Sequence, residues 1–287
     1  MQHEYLQRSV AFLESSEDFN DGDRVILGLP MDITTSFRPG TRMAPNRVRE
    51  MALADSIEEY SMALDKSLTE VEFYDTGDVQ IVHGNVEESL RRIKLVAESL
   101  VRAGKKVFAI GGEHLVSLPM VQAYYQQYPD LVVIQFDAHL DLREDYEGER
   151  FSHATVMRRI LEVIGDHNLF QLGIRSGDRE ELKFARDHSN LYIGKTIEVI
   201  NDVIRQVGDR PVYISLDIDV LDPAFAPGTG TPETDGTTSR ELMASLYALA
   251  QLNVVGFDMV EISPPLETGD ITSILGAKIL REALLMY

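Results

Sequence analysis

Three apolar runs in this chain end in the same way, and that shared ending limits its folding more than any other feature. Leu131-Val132-Val133-Ile134-Gln135-Phe136, rich in β-branched residues, leads into Asp137-Ala138-His139-Leu140-Asp141. Pro211-Val212-Tyr213-Ile214-Ser215-Leu216 leads into Asp217-Ile218-Asp219, and Lys106-Val107-Phe108-Ala109-Ile110 into Gly111-Gly112-Glu113-His114. Each run reads as a buried strand of a parallel sheet. Alternate side chains of an extended chain share a face, so Asp137, His139 and Asp141 can converge on one point. Groups this polar at the end of an apolar strand cannot be buried without a partner. A divalent cation would satisfy all three; a solvated loop in which polar residues alternate is the plainer reading. The recurrence favours the cation, because all three runs carry acid or imidazole at their C-terminal ends. Ligands of open parallel α/β sheets bind at that edge.

Between the runs the spacing becomes helical. Arg24–Leu29 predicts a strand, followed by Pro30 and the loop Ser36-Phe37-Arg38-Pro39-Gly40-Thr41-Arg42, and a helix starts near Pro45. Val71–Tyr74 predicts the next strand. Asn85 with Glu88 three residues on is a capping-box pattern; the helix it opens buries Leu90, Ile93, Val96, Ala97 and Leu100 and ends at Gly104. Helices over 118–127, 154–164, 178–188 and 196–206 alternate with strands over 131–136 and 169–173. After the Tyr213 strand and a loop over 222–237 come a helix from Ser239 to Leu252, a strand from Val254 to Val260 and a closing helix from Ile271 to Leu285. This alternation predicts an α/β fold with a mostly parallel sheet between helical layers. Eight or so strands could stay open or close into a barrel, and the pattern leaves both. With no linker, repeat or composition break, residues 1–287 are expected to form one domain.

Composition narrows the function. The chain has no cysteine, which excludes disulfides, and the stretch Met1–Asp23 lacks the apolar centre of a signal peptide, so a cytoplasmic protein is expected. No stretch approaches the ~18 apolar residues that span a membrane. A formal net charge of −20 argues against nucleic acid and favours small cationic ligands, although solubility alone would also explain it.

His114, Asp137, His139, Asp141, Asp217 and Asp219 make two imidazoles and four carboxylates, more than one ion needs. Bridging carboxylates allow two ions ~3.5–4 Å apart, and four carboxylates balance two divalent charges. The lack of thiolates and the excess of oxygen favour Mn²⁺ over Zn²⁺.

Gly111-Gly112-Glu113-His114, Asp137–Asp141 and Ser215-Leu216-Asp217-Ile218-Asp219-Val220-Leu221-Asp222-Pro223 resemble the signatures of the ureohydrolase family, the arginases, agmatinases and their relatives. So do Ala226-Pro227-Gly228-Thr229-Gly230-Thr231-Pro232 and Asp258-Met259-Val260-Glu261-Ile262-Ser263-Pro264. The match extends from Arg38-Pro39-Gly40 to the last helix. The resemblance implies a three-layer α/β/α fold (arginase-like), assembly as a homo-oligomer (trimer or hexamer), and a Mn²⁺ pair per chain whose bridging hydroxide attacks a guanidinium carbon and releases urea. It implies that the six residues above are the metal ligands and that Asp141 also touches the hydroxide. Glu261 matches the carboxylate that grips the guanidinium, and His153, in Phe151-Ser152-His153-Ala154-Thr155, the histidine near the leaving group. On local grounds alone Glu261 could be a buried structural acid and His153 an ordinary helix-start residue.

The loop Leu142–Ser152 carries four acids against two arginines, and it lacks the Ser-Gly-Asn pattern with which arginases hold an α-carboxylate. A loop of this charge should attract a terminal ammonium. With the Glu113-His114-Leu115 variant, this resembles bacterial agmatinases and implies hydrolysis of agmatine to putrescine and urea in polyamine biosynthesis. Arginase, guanidinobutyrase, guanidine hydrolase and formiminoglutamase activities stay open. So, as rival classes, do a single-zinc deacetylase of related architecture and a non-catalytic polyamine-binding protein. Arg38–Arg42 reads either as an anion site or as a structural or subunit-contact loop, and Gly228-Thr229-Gly230 as a tight bend near the pocket rather than a phosphate cradle.

Overall fold

In the computed structural model, which describes residues 3–7 and 9–287, the apolar runs become neighbours in one sheet. In chain order the elements are β1 (Leu6–Gln7), β2 (Arg24–Leu29), α1 (Ala44–Leu53), β3 (Tyr60–Ser61), β4 (Lys66–Ser67), β5 (Phe73–Val79), α2 (Val86–Arg102), β6 (Lys106–Gly111) and α3 (Ser117–Gln127). There follow β7 (Val132–Phe136), α4 (Val156–Ile164), β8 (Leu169–Ile174), α5 (Arg179–His188), β9 (Asn190–Ile193), α6 (Ile200–Val207), β10 (Pro211–Asp217), α7 (Ser239–Leu249), β11 (Asn253–Val260) and α8 (Ile271–Met286). Nine strands pair in the order β1-β5-β2-β6-β11-β10-β7-β8-β9, all parallel except β1 against β5. The two ends of this order do not pair, so the sheet is open and not a barrel.

Alternation along each strand sends apolar side chains to opposite faces. Ile26, Phe108, Ile110, Ile134, Ile214 and Phe257 pack with α1, α6, α7 and α8. Val25, Leu27, Val107, Ala109, Val133 and Tyr213 pack with α2, α3, α4 and α5. Both faces are covered, which is why the strands read as continuous apolar runs. The expected three layers are present.

Several boundaries differ from the sequence reading. β5 runs to Val79, past the expected Tyr74, because its polar residues Asp75 and Asp78 are buried against Arg49. β9 was not expected; it is a short, half-buried edge strand whose apolar stretch, Leu191-Tyr192-Ile193, is only three residues long. The two-residue strands β1, β3 and β4 carry no pattern at all. Helix α6 begins at Ile200, not near residue 196. Only half of the expected capping box forms at α2: Asn85 Oδ1 accepts from the Glu88 N–H at 3.0 Å, whereas the Glu88 carboxylate turns to Arg91 and Arg92. No helix among the described residues is long and apolar enough to cross a membrane.

The consequence for chemistry lies in the strand order. β6, β11, β10 and β7 are consecutive neighbours. Their C-terminal ends therefore form one continuous rim, and all the sequence-predicted residues except His153 come from it.

Candidate metal centre

Register sets the first contacts. Leu216 pairs with Phe136, and Asp217 with Val260, so the tips after β7, β10 and β11 lie level. Asp137 Oδ1 accepts from the His139 N–H at 2.6 Å, and Asp217 Oδ1 accepts from the Asp219 N–H at 2.8 Å. The same device, an acid curling back on the residue two ahead, shapes both tips. Ala138 N–H in turn donates to Asp219 Oδ1 at 3.0 Å, tying the tips together.

The six sequence-predicted ligands gather at this point. One ligand atom each of His114, Asp137 and Asp141 lie within 4.8 Å of one another, and so do those of Asp137, His139 and Asp219. Asp217 joins the first group, its Oδ2 lying 3.3 Å from His114 Nδ1. His114 Nδ1 also lies 3.0 Å from Asp137 Oδ2 and 3.1 Å from Asp141 Oδ2, yet this buried nitrogen makes no hydrogen bond. Three carboxylate oxygens crowd around it without taking up a bonding direction, which is how ligands surround a common centre. His139 Nδ1 lies 2.9 Å from Asp219 Oδ2. Hard oxygens with two imidazole nitrogens and no sulfur suit a divalent cation such as Mn²⁺, so the donor set fits the group that the resemblance implies.

Charge makes the same case. Burial, reinforced by the charge of Asp137, pushes the Asp141 carboxyl up to about 7. Asp217 is held well above the usual carboxylate range by burial and by its neighbours Asp219 and Asp137. Burial disfavours the imidazolium of His139, but Asp219 and Asp137 outweigh it and raise its pKa to about 12. Asp137 goes the other way: burial opposes its charge, but contacts with His114 and His139 hold it below the usual range. Two imidazoles cannot neutralise four buried carboxylates, and the unmet charge is what a cation pair would supply.

Behind the cluster, His114 is held from its other side. His114 Nε2 lies 3.0 Å from Ser215 Oγ, and Ser215 donates to Asp258 Oδ1 at 2.8 Å. Tyr213 O–H donates to Asp258 Oδ2 at 2.7 Å. Such outer partners orient a ligating imidazole.

Glu261 follows β11 and lines the cavity with the cluster. Its Oε1 accepts the His114 N–H at 2.7 Å, and burial pushes its carboxyl up to about 8. Asp141 and Glu261 both have left-handed backbone, with φ of 53° and 64°. Non-glycine residues adopt that region at a cost, and such outliers concentrate where a side chain must be re-aimed.

His153 lies across the cavity on the turn before α4. Ser152 caps that turn, its own N–H donating to Thr155 Oγ1 at 3.0 Å. The ring nitrogens of His153 lie near two hydroxyls, Nε2 at 3.1 Å from Ser36 Oγ and Nδ1 at 3.2 Å from Ser152 Oγ. Burial lowers its pKa to about 4, so the ring is neutral near pH 7.

The cavity has a volume of about 320 Å³. Its outer wall overturns one sequence argument. Of the four acids in Leu142–Ser152, none lines it; that loop contributes Arg143 and Tyr146. Glu144 turns instead to Arg158, and Asp145 accepts from the Gly148 N–H. The acids of this outer wall are Asp178 and Glu181, from the N-terminus of α5, the helix that follows β8. Strand-tip placement could have flagged Asp178, but it also reads as the helix N-cap that it is, accepting from the Glu181 N–H. Arg143 reaches both acids, at 3.1 Å from Asp178 and 3.5 Å from Glu181.

Both arginines of the Arg38–Arg42 loop have internal partners. Arg38 donates to the carbonyls of Thr229 and Gly230, and Arg42 to Asp32, so the loop is structural. Gly230 is needed for room rather than for a bend: a Cβ there would lie 2.9 Å from the Arg38 carbonyl oxygen.

A sequence profile described as the arginase family matches residues 22–286. The agmatinase of Bacillus subtilis (strain 168) is 45% identical over 280 residues, which cover 96% of each chain. The crystal structure of the agmatine ureohydrolase of Thermoplasma volcanium superposes with a TM-score of 0.87 at 30% identity, covering 97% of this chain and 94% of that one. Proclavaminate amidino hydrolase from Streptomyces clavuligerus gives a TM-score of 0.88 at 32% identity, covering 100% of this chain and 99% of its own.

Proposed function

The chain belongs to the arginase family and is a ureohydrolase acting on guanidino compounds; on that premise we propose that its substrate is agmatine, hydrolysed to putrescine and urea, and that it works with two Mn²⁺ ions. His114, Asp137, His139, Asp141, Asp217 and Asp219 would hold the pair, which when bound supplies the Lewis acidity that makes water a nucleophile near neutral pH. The remaining work falls to the chain's own groups. Glu261, with one oxygen held by the His114 N–H, offers the other to the planar guanidinium. A bound cation restores the negative charge that burial disfavours in Glu261, so substrate and carboxylate stabilise each other. His153, neutral near pH 7, takes up a proton and passes it to the departing amine, with Asp141 the other group able to carry one. Assembly as a homo-oligomer belongs to the same proposal, and light scattering of a monomer would remove that part of it.

The observation that carries the choice of agmatine is Arg143 engaged by two carboxylates. Asp178, Glu181 and Arg143 together leave one negative charge on the wall, so a substrate's terminal ammonium is attracted there. A terminal carboxylate, as in arginine or guanidinobutyrate, finds no unengaged cation among them. We expect kcat/KM under Mn²⁺ loading to favour agmatine over both by more than tenfold, ~1.4 kcal/mol. If either rival exceeds agmatine by that factor, the substrate is wrong while the ureohydrolase chemistry stands.

A further inference from the structure

His153 ends the loop that follows Asp141, and backbone bonds tie the far side of that loop back to it, Arg143 N–H donating to the Ala154 carbonyl at 3.2 Å and Met157 N–H to that of Asp141 at 3.0 Å. A second chain of contacts reaches His153 from the β6 side. Glu113, the residue before His114, is fully buried, and both of its carboxylate oxygens point at Thr34. The Thr34 N–H donates to Oε2 at 2.7 Å and the Thr34 O–H to Oε1 at 3.0 Å. With its proton committed to Glu113, Thr34 Oγ1 accepts the His153 N–H at 3.0 Å. Two residues further along the same loop, Ser36 Oγ lies 3.1 Å from His153 Nε2.

The backbone reinforces the link. Glu113 N–H donates to the Met31 carbonyl at 2.7 Å and Gly112 N–H to that of Leu29 at 2.8 Å. A side chain at position 112 would meet the Met31 carbonyl oxygen at 1.9 Å, so the two segments touch backbone to backbone. Resting on the functional reading above, we propose that Glu113 and Thr34 are positioning residues that fix His153 against the metal cluster. Glu113 adjoins His114 in the chain, and His114 N–H is bonded to Glu261, so one short segment carries the reference for ligand, substrate carboxylate and proton carrier. Neither Glu113 nor Thr34 needs to touch substrate for this.

Thr34→Val keeps the side-chain volume but removes the hydroxyl, and with it both the acceptor for the His153 N–H and the donor to Glu113 Oε1. It should lower kcat roughly tenfold, of the order of a lost hydrogen bond, with KM and metal content little changed. Thr34→Ser, which keeps the hydroxyl, should recover most of the rate. In a His153→Ala background Thr34→Val should cost nothing further, because residues acting through one another are non-additive. Hydrogen exchange of the His153 amide, read in the protein whether or not it turns over, should quicken in Thr34→Val and stay slow in Thr34→Ser. Glu113→Gln, which keeps one carbonyl acceptor and turns an amide donor toward the other Thr34 group, should shift both readouts in the same direction as Thr34→Val and by less. Additive losses in the cycle, metal lost with the Thr34 change, or unaltered exchange at His153 would each overturn the proposal. Wild-type protein that hydrolyses no guanidino compound would overturn the functional reading instead, a different result from additivity in an active enzyme.

Discussion

Two of the groups of charges that the fold buries are finished differently. Around Arg49 everything is paired within the chain: Nε and Nη2 donate to the two oxygens of Asp75, both at 2.8 Å, and Nη1 to Asp78 at 2.6 Å. The backbone N–H groups of Phe12 and Gly77 complete Asp75. Space is arranged too, since a Cβ at Gly28 would lie 1.8 Å from Asp78 Oδ1. At the metal centre four carboxylates share two imidazoles, His114 Nδ1 has no hydrogen bond, and two of the carboxyls are pushed upward. The cluster that serves the fold satisfies its hydrogen bonds within the chain; the cluster at the strand tips would be completed by a cation and is built where a cavity reaches it.

The contrast can be broken most sharply at Asp219. Asp219→Ala should lower urea release by ~10³-fold or more and lose metal at the same time, since it removes a proposed ligand that also aligns the β7 tip. Elemental analysis finding two ions still bound to an active variant would show that the cluster does not depend on its full set. Arg49→Met should leave metal binding in the folded fraction intact but cost about 3–5 kcal/mol of stability, because Asp75 and Asp78 remain buried and unpaired. Denaturant unfolding with an unmoved midpoint would mean that this cluster is not what holds β5.

A smaller effect is expected at His153, which belongs to neither cluster. His153→Ala should reduce turnover by ~10²-fold with metal content unchanged, as for lost acid–base catalysis. Loss of metal instead would move His153 into the ligand set.

The smallest effect sharpens the comparison through pH. In chelator-treated protein the folded state holds a proton on Asp141 between its ordinary 3.8 and about 7, where the unfolded chain has released it. Stability should therefore fall as pH rises through that window, and the raised His139 continues the trend above 6.5. Excess Mn²⁺ should flatten the slope and add about 2.7 kcal/mol at a hundred times its Kd. A slope that persists in saturating Mn²⁺ would put its origin outside the cluster.

Much of this was legible before any coordinates. β6, β7, β10 and β11 announce themselves as β-branched runs because both faces of the sheet are covered, and the acids spaced by two at their tips are visible for the same reason. β5 was cut short because Asp75 and Asp78 look like loop residues until Arg49 is known to lie against them. The charge of Leu142–Ser152 pointed to a cationic tail, but its acids face away, and Asp178 and Glu181 take that place.

By itself, then, the sequence determined the alternation of strand and helix, the end of the strands at which polar groups collect, and the six residues proposed to hold a cation pair. Those are local properties, written in hydrophobic period and in spacing along one segment. Only the tertiary structure decided that β6, β11, β10 and β7 are adjacent, that left-handed backbone at Asp141 and Glu261 turns their side chains inward, and that Thr34 joins Glu113 to His153. Those depend on strand order, register and contacts between segments as far apart as Phe108 and Phe257, which no window of sequence contains.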